Sequence, residues 1–178
     1  AKTCGLNTEI TLSKIDRIKS IRGRLQLIRS LPNQARVFLD YAHTPDAYEK
    51  LFSNLVYLMD NQVNIFTVFG CGGNRDTGKR AEMAKISEKY ASFSFVTTDN
   101  PRTESLERIN ADIIQGFSSD SYTVILDRKE AITTALKQMN ENSILLVLGK
   151  GAENYQEIGT EKIPHSDIEI IKDYTNAG

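Results

Sequence analysis

Four short loops carry most of the residues in this chain that could do chemistry. They are Asp40-Tyr41-Ala42-His43, Cys71-Gly72-Gly73-Asn74-Arg75-Asp76, Asp99-Asn100-Pro101-Arg102 and Gly149-Lys150-Gly151-Ala152-Glu153. Asp99, Asn100 and Arg102 present a carboxylate, an amide and a guanidinium around a turn stiffened by Pro101. An arginine grips a carboxylate through two parallel hydrogen bonds, and a neighbouring aspartate suits an ammonium group. A ligand carrying both groups, an amino acid, is the natural match. Gly149 and Gly151 let the backbone approach such a ligand closely, and Glu153 adds a second carboxylate. Taken alone, each loop also has a plain structural reading. Asp99 could cap a helix with Arg102 solvated, and the Gly149 segment could be a simple turn. His43 could stack on a base beside a ribose-binding Asp40, or serve as a structural histidine beneath Pro45.

The glycine-rich segment Gly73–Arg80 fits G-x-x-x-x-G-K, but Arg80 stands where a phosphate loop needs Ser or Thr. It is expected to hold an anion at most, or to be a flexible turn capped by Lys79 and Arg80. His165 sits in a polar tail and is expected to be exposed. No His, Cys, Asp or Glu cluster has metal-ligand spacing, and no G-x-S-x-G nucleophile signature occurs.

Each of the four loops follows an apolar run. Val37–Leu39, Val63–Phe69, Phe93–Thr97, Tyr122–Leu126 and Ser143–Leu148 read as strands. They alternate with helices over Pro45–Tyr57, Gly78–Tyr90, a segment opened by Thr103 with Glu104 and Glu107, and Arg128–Met139. A short edge strand and a last helix opened by Ser166 are expected between Glu157 and Tyr174. Such alternation gives an α/β, Rossmann-like fold: a mostly parallel sheet with right-handed crossovers and helices on both faces. All four loops then emerge at the carboxyl edge of the sheet, where open α/β sheets bind ligands. Thr8–Ile21 has helical spacing but precedes the alternating units. Residues 1–22 are therefore expected to be the end of a preceding domain, joined near Gly23 to one domain over residues 23–178.

Composition excludes several classes. With 178 residues the chain is about one domain, 40% hydrophobic and 25% charged, as in average globular proteins. A formal net charge of -1 argues against a nucleic-acid partner. No apolar run reaches the roughly 18–20 residues of a membrane span, and Ala1-Lys2-Thr3-Cys4 lacks the apolar core of a secretory signal. The two cysteines, Cys4 and Cys71, exclude a disulfide scaffold and fit a reducing cytoplasm.

Five segments in order resemble a known family: Ile21–Arg24, Asp40–Asp46, Phe69–Arg80, Thr98–Arg102 and Gly149–Gln156. They are similar to the C-terminal domain of the Mur ligases, ATP-dependent amino-acid ligases of peptidoglycan synthesis, and within it to the diaminopimelate-adding members. The resemblance implies that Arg75, Asp99, Asn100, Arg102, Gly149 and Glu153 form the pocket for meso-diaminopimelate. It implies that Arg24 and Asp40 are the inter-domain arginine and ribose-binding aspartate, with Tyr41 and His43 in the nucleotide-contacting segment. ATP, Mg2+ and UDP-MurNAc-L-Ala-D-Glu would serve the whole enzyme through an acyl phosphate. The phosphate loop, the Mg2+ ligands and a modified lysine would lie in a central domain outside this sequence. The chain alone is then expected not to ligate, and to contain no catalytic residue or metal ligand. Arg102 would pair the distal carboxylate of diaminopimelate and be left without it over lysine. Ala152 stands where the family usually has histidine, Asn74 replaces a common aspartate, and Leu25-Gln26 replaces Met-Glu. A non-catalytic binding module of this family, or a lysine- or glutamate-adding relative, is the alternative.

Overall fold

The computed structural model describes residues 21–59 and 63–175. The helix expected over Thr8–Ile21 falls almost wholly on residues outside that range. The elements run β1 (Gln26–Ser30), β2 (Arg36–Asp40), α1 (Pro45–Leu58), β3 (Ile65–Phe69), α2 (Gly78–Tyr90), β4 (Phe93–Val96) and α3 (Leu106–Ile114). There follow β5 (Tyr122–Val124), α4 (Arg128–Gln138), β6 (Ile144–Leu148), β7 (Tyr155–Ile158), β8 (Glu161–Pro164) and α5 (Asp167–Asp173).

Six strands form one sheet in the order β1-β2-β6-β3-β4-β5. From β2 to β5 every neighbour is parallel, and only β1 is antiparallel, on the edge beside β2. Alternate residues of the central strands face opposite sides, which splits the core in two. Ile144, Leu146, Leu148, Ile65, Phe69 and Val96 pack under α1–α3. Leu145, Val147, Val37, Leu39, Val68 and Phe95 pack under α4 and α5. Strand β6 is buried on both faces, so it reads as an unbroken apolar run rather than an alternating one.

The helices start where small polar side chains can accept a first-turn N–H. Thr44 caps α1 ahead of Pro45, Asp127 caps α4 and Ser166 caps α5. Three expectations need correction. Helix α3 begins at Leu106 under Ser105, not at Thr103, because Thr103 instead donates from its N and Oγ1 to Asn74 Oδ1, at 3.2 and 3.0 Å. The fourth strand stops at Val124, and the Leu126 carbonyl turns to accept Thr98 Oγ1 at 2.6 Å. The single tail strand is a separate antiparallel hairpin, β7–β8. Strand β1 was not expected at all. The chain near Gly23, where the two domains are expected to join, is fastened to the sheet: Leu25 N donates to Asp40 Oδ2 at 2.6 Å, and Gly23 is buried against Ala152.

Candidate functional site

The strands that carry the four loops end level with one another. Asp40 lies opposite Leu148, and Phe69 opposite Val96. Backbone bonds then stitch the loops together: Gly149 N donates to Asp40 O at 3.1 Å, and Gly73 N to Asn100 O at 2.9 Å. Between β2 and β3 the chain steps over the place β6 later fills, which opens a crevice at the carboxyl edge. There lies a cavity of about 350 Å3. Arg75, Asp99, Asn100, Arg102, Gly149 and Glu153 all line it, and so do Tyr41 and His43.

Asp99 is buried in the floor of this cavity. Burial pushes its carboxyl above the ordinary range, against the opposing pull of Arg128 and Lys150, with Asp167 and Glu153 adding to the rise. It caps no helix, since α3 is capped by Ser105. Gly149, at φ +102°, faces it so closely that a Cβ there would lie 2.5 Å from Asp99 Oδ2. Asn100 is held on both sides: its Oδ1 accepts Lys150 Nζ at 2.9 Å and Glu157 N at 3.0 Å, and its Nδ2 donates to Glu153 Oε2 at 3.2 Å. Arg102, at φ +53°, is not solvated either. Its Nη1 donates to Gly73 O at 3.0 Å, and its Nε lies 2.8 Å from Glu157 Oε2. Arg75 is exposed at the rim.

The second group stands differently. Arg24 stacks its guanidinium over the Tyr41 ring at 4.7 Å, and Tyr41 meets His43 edge-on at 4.8 Å. His43 is exposed, with Nδ1 2.8 Å from the Tyr41 carbonyl. Asp40 does not line the cavity: its Oδ1 accepts Ala42 N at 2.7 Å and its Oδ2 accepts Leu25 N. In this structure it braces the start of β1 against the end of β2.

Four residues that build or support this site were given no role in it from the sequence. Lys150 is fully buried beneath the cavity, 3.1 Å from Glu153 Oε2 and 3.8 Å from Asp99 Oδ1. A lysine separated only by Gly149 from an all-apolar strand needs such carboxylates, and that was its signal. Lys79 also lines the cavity, its Nζ donating to the His43 carbonyl at 2.8 Å. Arg128 and Asp167 form a wholly buried pair at 2.8 Å. Burial pushes Asp167 up, but the Arg128 guanidinium and a hydrogen bond from His165 outweigh it and hold the carboxyl well below the usual range. Arg128 also donates to the Leu148 carbonyl at 2.9 Å, directly before Gly149.

Two further expectations are corrected here. His165 is not exposed; it lies against Asp167 Oδ1 at 2.8 Å with a side chain only 10% accessible. Nor is Arg80 a surface cap of the glycine-rich turn. Its side chain is fully buried and pairs with Glu104 at 2.7 Å and Asp112 at 2.8 Å. The position where a phosphate loop needs a hydroxyl therefore ties α2 to α3 instead. Among the described residues, no group of three or more His, Cys, Asp or Glu is arranged to hold a metal ion. No helix there is long and apolar enough to cross a membrane.

Acidic groups in the floor and arginines toward the rim make a cavity suited to a small zwitterion. Known proteins resemble this chain in sequence and in shape. The model of the family described as Mur ligase, glutamate ligase domain, matches residues 23–151. A UDP-N-acetylmuramoyl-L-alanyl-D-glutamate--2,6-diaminopimelate ligase from Rickettsia conorii is 41% identical over 94% of this chain and 34% of its own length. The enzyme of that name from Haemophilus influenzae is 43% identical over 96% of this chain and 34% of its own. The chain thus spans about a third of these relatives. A solved structure of an enzyme of the same name superposes with a TM-score of 0.77 at 35% identity, covering 97% of this chain and 35% of the other. The UDP-N-acetylmuramate-alanine ligase of Thermotoga maritima shares the fold, at a TM-score of 0.64 and 19% identity over 84% of this chain and 31% of its own. By the family match and these identities, the chain belongs to the Mur ligase family and corresponds to its C-terminal domain.

Proposed function

We propose that this chain is the amino-acid-delivering domain of an ATP-dependent ligase that adds meso-diaminopimelate to UDP-MurNAc-L-Ala-D-Glu in the cytoplasm. One observation carries the reading: Asp99, Glu153, Arg75 and Arg102 converge on one cavity of about 350 Å3. One amino-acid end of the ligand is held between a carboxylate and a guanidinium, and Arg102 meets the carboxylate of the distal end. Lysine lacks that carboxylate, so binding it would desolvate Arg102 without a new partner.

In the reaction the amino nitrogen attacks the acyl phosphate of the nucleotide-linked peptide. A C–N bond forms, the C–O bond to phosphate breaks, inorganic phosphate leaves and the ammonium proton is lost. This domain contributes the position of that nitrogen, not a covalent step. The Arg24–Tyr41–His43 cluster at the cavity mouth is the surface that would meet ATP. The Mg2+ that would shield its phosphates would be held by the preceding domain.

Titration calorimetry tests this. The chain is expected to bind meso-diaminopimelate and to bind L-lysine far more weakly. Arg102→Ala should weaken meso-diaminopimelate by about ten- to a hundredfold, the worth of a charged hydrogen bond, and leave lysine unchanged. Equal or tighter binding of lysine by the native chain would overturn the substrate assignment.

A further inference from the structure

Arg102 is a wall shared by two cavities. One face lines the cavity described above, and the other lines a second one of about 500 Å3 with Asn74, Thr103, Glu157, Thr160 and Lys162. An arginine between two openings can point its guanidinium into either. The backbone does not decide which, but it brings the deciding group near. Arg102 N donates to Glu157 O at 3.0 Å, and Gly159 N donates to Arg102 O at 2.7 Å, so β7 is fastened alongside Arg102. The side chain of Glu157 then reaches back and sets Oε2 2.8 Å from Arg102 Nε. From the other side, the carbonyls of Gly73 and Asn100 take Nη1 at 3.0 and 3.4 Å. The guanidinium plane is thus clamped at two of its three nitrogens, and Glu157 is the one clamp that is a side chain.

We propose that Glu157 is a specificity-determining positioning residue, which holds Arg102 from the second cavity so that its remaining N–H groups meet the distal carboxylate of the amino acid. The inference rests on the reading of the first cavity as the amino-acid pocket. Glu157 lines only the second cavity, so it acts through Arg102 and not on the ligand. Its backbone bonds to Asn100 and Arg102 survive any change of side chain.

The test compares Glu157→Ala with Glu157→Gln by titrating the chain with meso-diaminopimelate and with L-lysine. The amide oxygen of glutamine can still take Nε, whereas alanine removes the clamp. Glu157→Ala should bind meso-diaminopimelate about tenfold more weakly with lysine unchanged, and Glu157→Gln should stay within about threefold of the native chain. An unchanged or raised affinity in Glu157→Ala would overturn the proposal, as would equal losses for both ligands, the mark of a merely structural role. So would the same loss in both variants, which would make the charge of Glu157, rather than its hold on Nε, the feature that matters. Absence of any preference for meso-diaminopimelate in the unsubstituted chain would remove the pocket reading itself, and it is seen before any substitution is made.

Discussion

Asp99 and Gly149 show how narrowly single residues set this site. The aspartate is buried, and the space in front of its Oδ2 exists because residue 149 has no side chain. A methyl group there would stand 2.5 Å from that oxygen, on a backbone already at φ +102°. Gly149→Ala should therefore displace the carboxylate and weaken meso-diaminopimelate by more than tenfold, besides costing about 1–3 kcal/mol of stability. Gly159 is the control. It also has positive φ, +62°, but nothing lies within 4 Å of a Cβ there. Gly159→Ala should cost about 1–2 kcal/mol and, since its N–H can still donate to the Arg102 carbonyl, weaken affinity far less than Gly149→Ala. Urea melts paired with calorimetry separate the two effects. The carboxylate, amide and guanidinium of residues 99–102 were legible in sequence because they share one turn. Lys150 and Glu157 were not: Glu153 is only three positions from Lys150, but Asn100, which holds both residues in the site, lies 50 or more positions away and only the pairing of distant loops brings it in.

The helices are tied by charge as well as by apolar contact, and that makes their docking sensitive to acid. Arg80 of α2 holds Glu104 at the entry to α3, and its hydrogen bond lowers that carboxyl to about 2. Glu88, later on α2, takes the hydroxyl of Ser119, then the N–H groups of Ser118 and Ser119, and also falls to about 2. The ordinary glutamate value is 4.5. Both pKa values are depressed in the folded state, so the unfolded chain binds more protons across this interval. Their stabilisation is full above about 4.5 and is lost as pH falls towards about 2. The urea midpoint should drop between pH 5 and pH 3, and Glu104→Gln should flatten that drop while lowering the midpoint at pH 7. A pH dependence as steep as the native one in Glu104→Gln would mean that the Arg80 contact contributes nothing. At this scale the sequence was most readable where period and caps agreed, as in α1, α4 and the parallel strands. It was least readable at β1 and β7–β8. Strand β1 carries a register shift between Leu27 and Arg29 that breaks its alternation. Every residue of β8 is exposed, so no apolar pattern marks it. The turn residues Pro32-Asn33 and Gly159 were the remaining signals there.

Across the whole molecule, the two faces of the sheet have different duties. Helices α1–α3 follow three of the four loops that build the cavity, while α4 and α5 close the other face around the Arg128–Asp167 pair. Arg29 on the edge strand β1 donates to the carbonyls of Ile171 and Lys172, both at 3.0 Å, so the last helix is latched to the first strand. Inside that latch Arg128 spans three elements, taking Asp167 of α5 and the carbonyl of Leu148 at the end of β6, from its own place on α4. Neither side chain reaches solvent. A buried charge whose partner is removed is far more costly than a pair replaced by apolar groups of similar size. Asp167→Ala should therefore lose about 3–5 kcal/mol, because Arg128 is left buried without its counter-charge. The double variant Arg128→Met, Asp167→Leu should recover most of that loss. Urea unfolding of Arg128→Met, of Asp167→Leu and of the double variant gives the coupling directly. A double variant no more stable than Asp167→Ala would show that what holds this face is the hydrogen bonds of Arg128 to the strand end, rather than the neutralisation of its charge.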